Sequence, residues 1–467
     1  MVNGNMVVAG LVPDGAPGPG FCGDGTKLCS IGLVRYTPTG QRVTWPNAGA
    51  NGRFSNNYVV YPGGSAASRY QYLHDIKVRG NYIDVLVDIP DSAHPALTLG
   101  HRNVEIVTFR DDGSFVSIWE ALGHGFQPQD NEDFYGAQMV EMNNTQLIVA
   151  ATGFDNIGPY IAVSRATILN DGTLTGSGDF GSPYGVPPNT FPTSWVARYY
   201  APGSYCGGSR CDVTAGYVAK QVGFPVQTDF YVAGSIHIGG TNWDAIALKI
   251  SSADASVKTE FNGTGWSRAV FDDPSSTLDD RAAGLYVYQD DVYMAAQVAR
   301  KCSNGIGLAK LDGATGADNT AFGSGGKVVF GGEGNSPICL NQGPQAAVPT
   351  HIAATGGRIG IVGYQQFKTF GFPSVIEDNP MLAVVNAVNG SVLSFGSYPV
   401  TRADGSRYGD AALYGVYGGN LPTSPFTVSG FGRDANSSNT LSYLAGKFIP
   451  VSADRIFASG FGNGDEH

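Results

Sequence analysis

Seven residues could do chemistry if the chain gathers them. His74, Asp75, Asp280 and His351 combine imidazole with carboxylate, and Asp133, Asp279 and Asp410 offer carboxylate oxygen. Imidazole beside carboxylate can serve as general acid and base. Carboxylates converging on one axis could hold a hard cation such as Ca²⁺ through oxygen ligands. All seven lie near the start of apolar stretches, where aspartate also closes turns and caps loops, so a purely structural use competes with both chemical ones. Neither a G-x-S-x-G elbow nor an H-E-x-x-H pattern occurs. The turns Asp111-Asp112-Gly113, Asn170-Asp171-Gly172 and Asp312-Gly313 do not continue into D-x-[DN]-x-[DN]-G, so they read as hairpin turns and not as calcium loops. Trp243, Trp266 and several tyrosines could form a sugar-stacking face, or pack in a core.

Six cysteines fall into three nearby pairs, Cys22 with Cys29, Cys206 with Cys211, and Cys302 with Cys339. Six free thiols or a metal site are the alternatives. The absence of any CxxC, and of histidine at ligand spacing, weighs against metal. Three disulfides formed in an oxidising compartment are expected. Each would contribute about 2–4 kcal/mol, less for the shortest loops.

The elements that must position these residues repeat along the chain. An apolar phrase ending in small residues occurs as MVVAG at Met6, LIVAA at Leu147, FYVAG at Phe230, VYMAA at Val292, IGIVG at Ile359 and TVSG at Thr427. A second phrase follows, as IGLVRY from Ile31, VEIVTF from Val104, IAVSRA from Ile161 and AIALKI from Ala245. It continues as IGLAKL from Ile306, LAVVNA from Leu382 and LSYLAG from Leu441. The second phrases are spaced from about 57 to about 85 residues apart, the range of arrays and propellers. Glycine is abundant, with 66 residues, and only 14% of the chain is charged, which suits many short strands joined by tight turns.

One unit reads completely. A strand from Ala282 to Tyr288, a turn at Gln289-Asp290-Asp291, VYMAAQV, a loop holding Cys302, IGLAKL, and finally KVVF at Lys327 to Phe330 make four short strands in sequence order. This is the meander of a propeller blade. The expected fold is an all-β, single-domain β-propeller of seven blades with four antiparallel strands each, six or eight blades being the alternatives. A closed ring removes exposed strand edges. The units fall near 1–64, 65–130, 131–188, 189–273, 274–341, 342–409 and 410–450, with a tail over 451–467. The chain opens on a second strand, so either both termini close the ring together or residues upstream are missing.

The stretch Leu308 to Phe330, LAKLDGATGADNTAFGSGGKVVF, resembles the bacterial delta-60 repeat, and Asp244 to Phe271 resembles it more loosely. That resemblance implies an extracellular or surface β-propeller and brings no catalytic motif. The tail Asp454 to Phe461, DRIFASGF, is similar to a short C-terminal phrase of exported gammaproteobacterial proteins, with Gly462 where that phrase has Glu.

Net charge is −11 and no Lys/Arg cluster stands out, which argues against nucleic acid as partner. No apolar run approaches the roughly 20 residues that span a bilayer, and the start lacks the features of a signal peptide. The expectation is an exported binding module that takes a small molecule, glycan or protein at one face of the ring, without a cofactor unless Ca²⁺ binds. The alternatives are a propeller hydrolase or lyase acting on a polysaccharide or ester, and a structural spacer.

Overall fold

The computed structural model describes residues 5–13, 29–37, 41, 43–45, 58–61, 72–90, 102–122, 133–143, 145–155, 158–176, 196–208, 211–222, 229–239, 242–271, 279–300, 303–331, 344–368, 376–398, 408–418, 424–434, 441–448 and 456–457. The fold is all-β and built of propeller-type blades. Among the described residues the one helical element is the 3-10 turn Gly203–Tyr205.

The strands run as antiparallel meanders in sequence order. The first holds β1 (Met6–Pro13), β2 (Cys29–Tyr36) and β3 (Tyr58–Tyr61). The second holds β4 (Tyr72–Arg79), β5 (Tyr82–Pro90), β6 (Arg102–Arg110) and β7 (Phe115–Leu122). Next come β8 (Asp133–Asn143), β9 (Gln146–Asp155) and β10 (Gly158–Ile168), with β11 (Leu174–Gly176) and β12 (Val196–Tyr199) both paired to β10. The fourth comprises β13 (Val213–Val222), β14 (Asp229–Gly239), β15 (Asn242–Ser251) and β16 (Trp266–Ala269). The fifth comprises β17 (Asp280–Tyr288), β18 (Asp291–Ala299), β19 (Asn304–Asp312) and β20 (Lys327–Phe330). The sixth comprises β21 (Pro344–Thr355), β22 (Arg358–Lys368), β23 (Ile376–Asn386) and β24 (Val392–Ser397). The last comprises β25 (Tyr408–Gly418), β26 (Phe426–Asp434), β27 (Leu441–Phe448) and β28 (Ile456–Phe457).

These strands cluster into two compact units. One contains Met1–Lys220, Gln227–Val232 and Lys249–Lys258. The other contains Gln221–Val226, Ala233–Leu248 and Thr259–His467.

The repeated phrases form the middle strands, and most of their apolar side chains are buried. In the first unit, Ile31, Leu33, Val85, Val87 and Val107 form one core layer, and Leu86, Ile106, Met139, Leu147 and Val149 form the next. In the second unit, Leu308, Phe322, Ile359, Ile361 and Met381 pack together, as do Val362, Leu382, Leu413 and Phe426. The turn from β17 to β18 places Gln289 and Asp290 at φ of 50° and 67°, the two positive values that a two-residue hairpin of right-handed twist needs.

A second repeat is visible only in the folded chain. Near the end of the third strand, Arg35, Arg165, Lys249 and Lys310 occupy one register position. Three of them reach forward to carbonyls in the third-to-fourth-strand hairpin of the next meander. Arg35 NH1 donates to Asp111 O at 3.1 Å. Arg165 NH1 donates to Ser252 O at 2.6 Å and Ala253 O at 3.0 Å. Lys310 Nζ donates to Ala387 O at 3.3 Å. The second meander has Thr108 at that position. There Arg79 takes the role, donating from NH2 to Gly172 O at 2.7 Å while its guanidinium pairs with buried Asp84. Thr108 donates to the same carboxylate at 2.7 Å.

Three third-to-fourth-strand hairpins satisfy their own aspartates. Asp112 Oδ1 accepts from Ser114 N at 2.8 Å and from its hydroxyl at 2.6 Å, and Asp171 does the same with Thr173. Asp312 Oδ1 accepts from Thr315 N at 2.7 Å. These are Asx turns, so local backbone and hydroxyl groups occupy the carboxylates.

Cys206 and Cys211 form a disulfide, with Cα atoms 5.8 Å apart. Cys29 is also disulfide-bonded. Its expected partner Cys22, and both Cys302 and Cys339, lie outside the described residues.

Candidate functional site

Five first strands carry a β-bulge at one equivalent place. The register slips between Leu73 and Asp75, Gly136 and Gln138, Ala282 and Gly284, Pro349 and His351, and Leu413 and Gly415. The residues at the slip are His74, Ala137, Ala283, Thr350 and Tyr414. A bulge re-aims its side chain and interrupts the ladder. At this shared backbone feature the sequence varies, with His74, Thr350 and Tyr414 the polar or aromatic residues.

His74 is the most developed case. Its Nε2 stands 2.8 Å from Asp88 Oδ2, with the histidine side chain 21% exposed and the aspartate fully buried. The separation is that of an ion pair, while the N–H is not aligned on the oxygen as a hydrogen bond. Asp88 Oδ1 accepts the Gly136 N–H at 3.0 Å. A Cβ on Gly136 would come 2.8 Å from the imidazole Cδ2 and 3.0 Å from Asp88 Oδ1, so glycine is required for β8 to close over the pair. The Tyr72 ring centroid lies 6.4 Å from that of the imidazole.

Asp88 occupies, on β5, the position that follows the small-residue phrase on the other second strands. Thr152 and Ser235 hold the same position on β9 and β14, and they make the same bond to the first strand of the next meander. Ala215 N donates to Thr152 Oγ1 at 2.9 Å, and Ala282 N donates to Ser235 Oγ at 3.1 Å. Asp88 differs in having a second oxygen, and that oxygen faces His74.

Four other expected site residues fasten the backbone. Asp75 accepts from Ile76 N at 2.8 Å and from Met139 N at 3.0 Å, and pairs with Lys77 at 3.3 Å. Asp279 accepts from Trp243 N at 3.1 Å and pairs with Arg281 at 3.2 Å. Buried Asp280 accepts from Phe271 N at 2.9 Å. Asp410 accepts from Asp378 N at 3.2 Å, the same link from first strand to preceding third strand that Asp279 makes. His351 is half-buried opposite Val362 on β21, and Asp133 opens β8 opposite Phe154. Among the described residues no group of three or more His, Cys, Asp or Glu side chains could hold a metal ion.

Aromatic groups also gather where the first strands start. In the second unit, the half-buried Trp243 ring is flanked by His237, at 5.1 Å between centroids, and by the Arg281 guanidinium at 4.9 Å. Tyr414 stacks on Phe431 at 5.3 Å with 14° between planes, and half of its surface is exposed. Burial, with Tyr364 and Asp378 nearby, pushes the Tyr414 hydroxyl up to about 12. Trp266, by contrast, is buried in the core.

A different titratable pair lies on the outer strands of the second meander, where Glu105 on β6 faces Glu120 on β7. Burial, reinforced by the Glu120 charge, pushes Glu105 up to about 7.

No family profile and no curated protein matches this chain. Solved structures similar to it include the Trypanosoma rangeli sialidase in complex with the inhibitor DANA, at a TM-score of 0.44 and 9% identity over 84% of this chain and 56% of that one. They also include the polysaccharide lyase Uly1, at 0.44 and 8% over 90% and 85%. A protein of unknown function from Dyadobacter fermentans matches at 0.40 and 12% over 82% and 96%. The chain thus spans little more than half the length of the sialidase.

Proposed function

We propose that this protein is an exported or surface β-propeller of the delta-60 repeat type, with seven blades closing a ring. Its ligand is a glycan or another hydroxylated small molecule, held where the first strands start. The observation that carries this reading is the shared bulge, which keeps one backbone geometry while varying the side chain it presents. Half-exposed Tyr414 on its Phe431 support, and Trp243 between His237 and Arg281, suit a sugar ring, whose C–H face is apolar and whose rim makes hydrogen bonds. The disulfides at Cys29 and at Cys206–Cys211 support export.

Titration calorimetry with a panel of neutral and acidic oligosaccharides tests the reading. Saturable binding is expected, weakened about tenfold by Tyr414→Ala or Trp243→Ala, on the scale of one lost aromatic contact. No binding across the panel, or binding indifferent to both substitutions, sinks it. The enzyme reading keeps one specific support, the buried Asp88 behind His74.

A further inference from the structure

Asp88 and His74 form an arrangement that backbone stapling does not explain. Thr152 and Ser235 make the equivalent link to the next first strand with a single oxygen. Asp88 makes that link with Oδ1 and places Oδ2, in a fully buried side chain, 2.8 Å from His74 Nε2. A buried carboxylate is costly unless it is paired, and imidazole is the group that meets this one. The bulge turns His74 toward Asp88, and the missing side chain of Gly136 leaves the room. With the proton on Nε2, the nitrogen beside the carboxylate, Nδ1 keeps the lone pair.

We propose that His74 and Asp88 are a proton-transfer dyad that hydrolyses a carboxylic ester on a hydroxylated ligand. His74 is the general base, and Asp88 is the positioning residue that sets its tautomer and stabilises the imidazolium. Nδ1 takes a proton from water as the water oxygen bonds to the acyl carbon. The tetrahedral adduct then breaks its bond to the alcohol oxygen, which receives the proton back from Nδ1. Ester and water become acid and alcohol, with no oxidant or reductant involved. Ester hydrolysis fits better than the usual glycoside hydrolysis, which places two carboxylates at the bond. Here the single carboxylate lies behind the imidazole, and its neighbour Asp75 already accepts two backbone N–H groups. The proposal rests on the reading that a hydroxylated ligand sits at this end of the blades.

The test is steady-state release of acetate from acetylated xylo-oligosaccharides and of nitrophenol from 4-nitrophenyl acetate. It uses the full chain, with calorimetric binding of the deacetylated oligosaccharide measured in parallel. His74→Gln and Asp88→Asn are each expected to lower kcat about 10²- to 10⁴-fold with KM little changed. In His74→Ala, added imidazole should restore turnover, which a purely structural histidine would not allow. Equal hydrolysis by wild type and His74→Gln, or no saturable hydrolysis by wild type, overturns the dyad. Oligosaccharide binding without His74-dependent hydrolysis overturns the dyad while leaving the ligand reading intact. His74-dependent cleavage of 4-nitrophenyl acetate with no oligosaccharide bound does the reverse. If Asp88→Asn fails to fold, His74→Gln with imidazole rescue of His74→Ala still decides the matter.

Discussion

Replacing Arg165 with alanine should unfold the first unit at a markedly lower temperature. The side chain is 4% exposed, and its NH1 donates to Ser252 O and Ala253 O across 87 and 88 residues of sequence. Hydrogen bonds from a charged donor contribute about 1.5–3 kcal/mol each, and a buried carbonyl left bare costs about 1–3 kcal/mol. The two bonds share one nitrogen and do not add in full. Removing Arg165 also relieves the cost of burying its charge. A net loss of roughly 3 kcal/mol results. For a unit of about 150–250 residues, each kcal/mol moves Tm by about 2–4 °C, so the expected shift is roughly 6–12 °C. Circular dichroism melts measure the total. Amide exchange over residues 251–256 locates it, since the hairpin held by Arg165 should open first. Arg165→Lys keeps the charge without the planar fork and should recover part of the loss. A shift below about 2 °C, with unchanged exchange in that hairpin, would refute the claim that these cations join consecutive meanders.

Further outcomes follow from other parts of the fold. Gln289→Asn with Asp290→Gly should raise stability by about 1 kcal/mol in chemical denaturation, because both positions have positive φ and the new residues accept it more readily. Glu105 titrates near 7 when folded and near 4.5 as the ordinary value, so the folded chain holds a proton that the unfolded chain has released in that window. Stability should therefore fall as pH rises from about 4.5 through 7. Glu105→Gln should melt about 1–2 kcal/mol more stably than wild type at pH 8, with little difference at pH 4. Replacing Cys206 and Cys211 with serine should cost about 2 kcal/mol, the small loss expected for so short a loop, as read by melts with and without reductant.

The apolar phrases and turn residues made the strands legible, and the fifth meander follows its sequence reading through β17, the Gln289-Asp290 turn, β18, β19 and β20. The site was legible in part. His74 stood out by residue type, but Asp88 did not, because it lies inside an apolar strand and not before one. A signal was present: at this position of the second strand Asp88, Thr152, Ser235 and Gln297 are polar, where Leu11 and Phe431 are not. Asp75, Asp279, Asp280 and Asp410 looked like convergent carboxylates because aspartate before a strand suits ligand binding and amide capture equally. Only the positions of Met139 N, Trp243 N, Phe271 N and Asp378 N separate the two uses. The bulges were illegible, since a one-residue slip in pairing leaves no mark in composition.

Four buried cations reach toward the C-terminus. Arg35 needs Asp111, Arg79 needs Gly172, Arg165 needs Ser252 and Lys310 needs Ala387. A chain emerging from its N-terminal end thus shows, after its first, second, third and fifth meanders, a charged side chain whose acceptor has not yet been made. Those four meanders are finished by their successors, so each of these joints has a direction of assembly. Truncation just after any of the four should leave the last remaining meander with an unanswered charge, whereas truncation just before its successor removes a donor and leaves only carbonyls that water can satisfy.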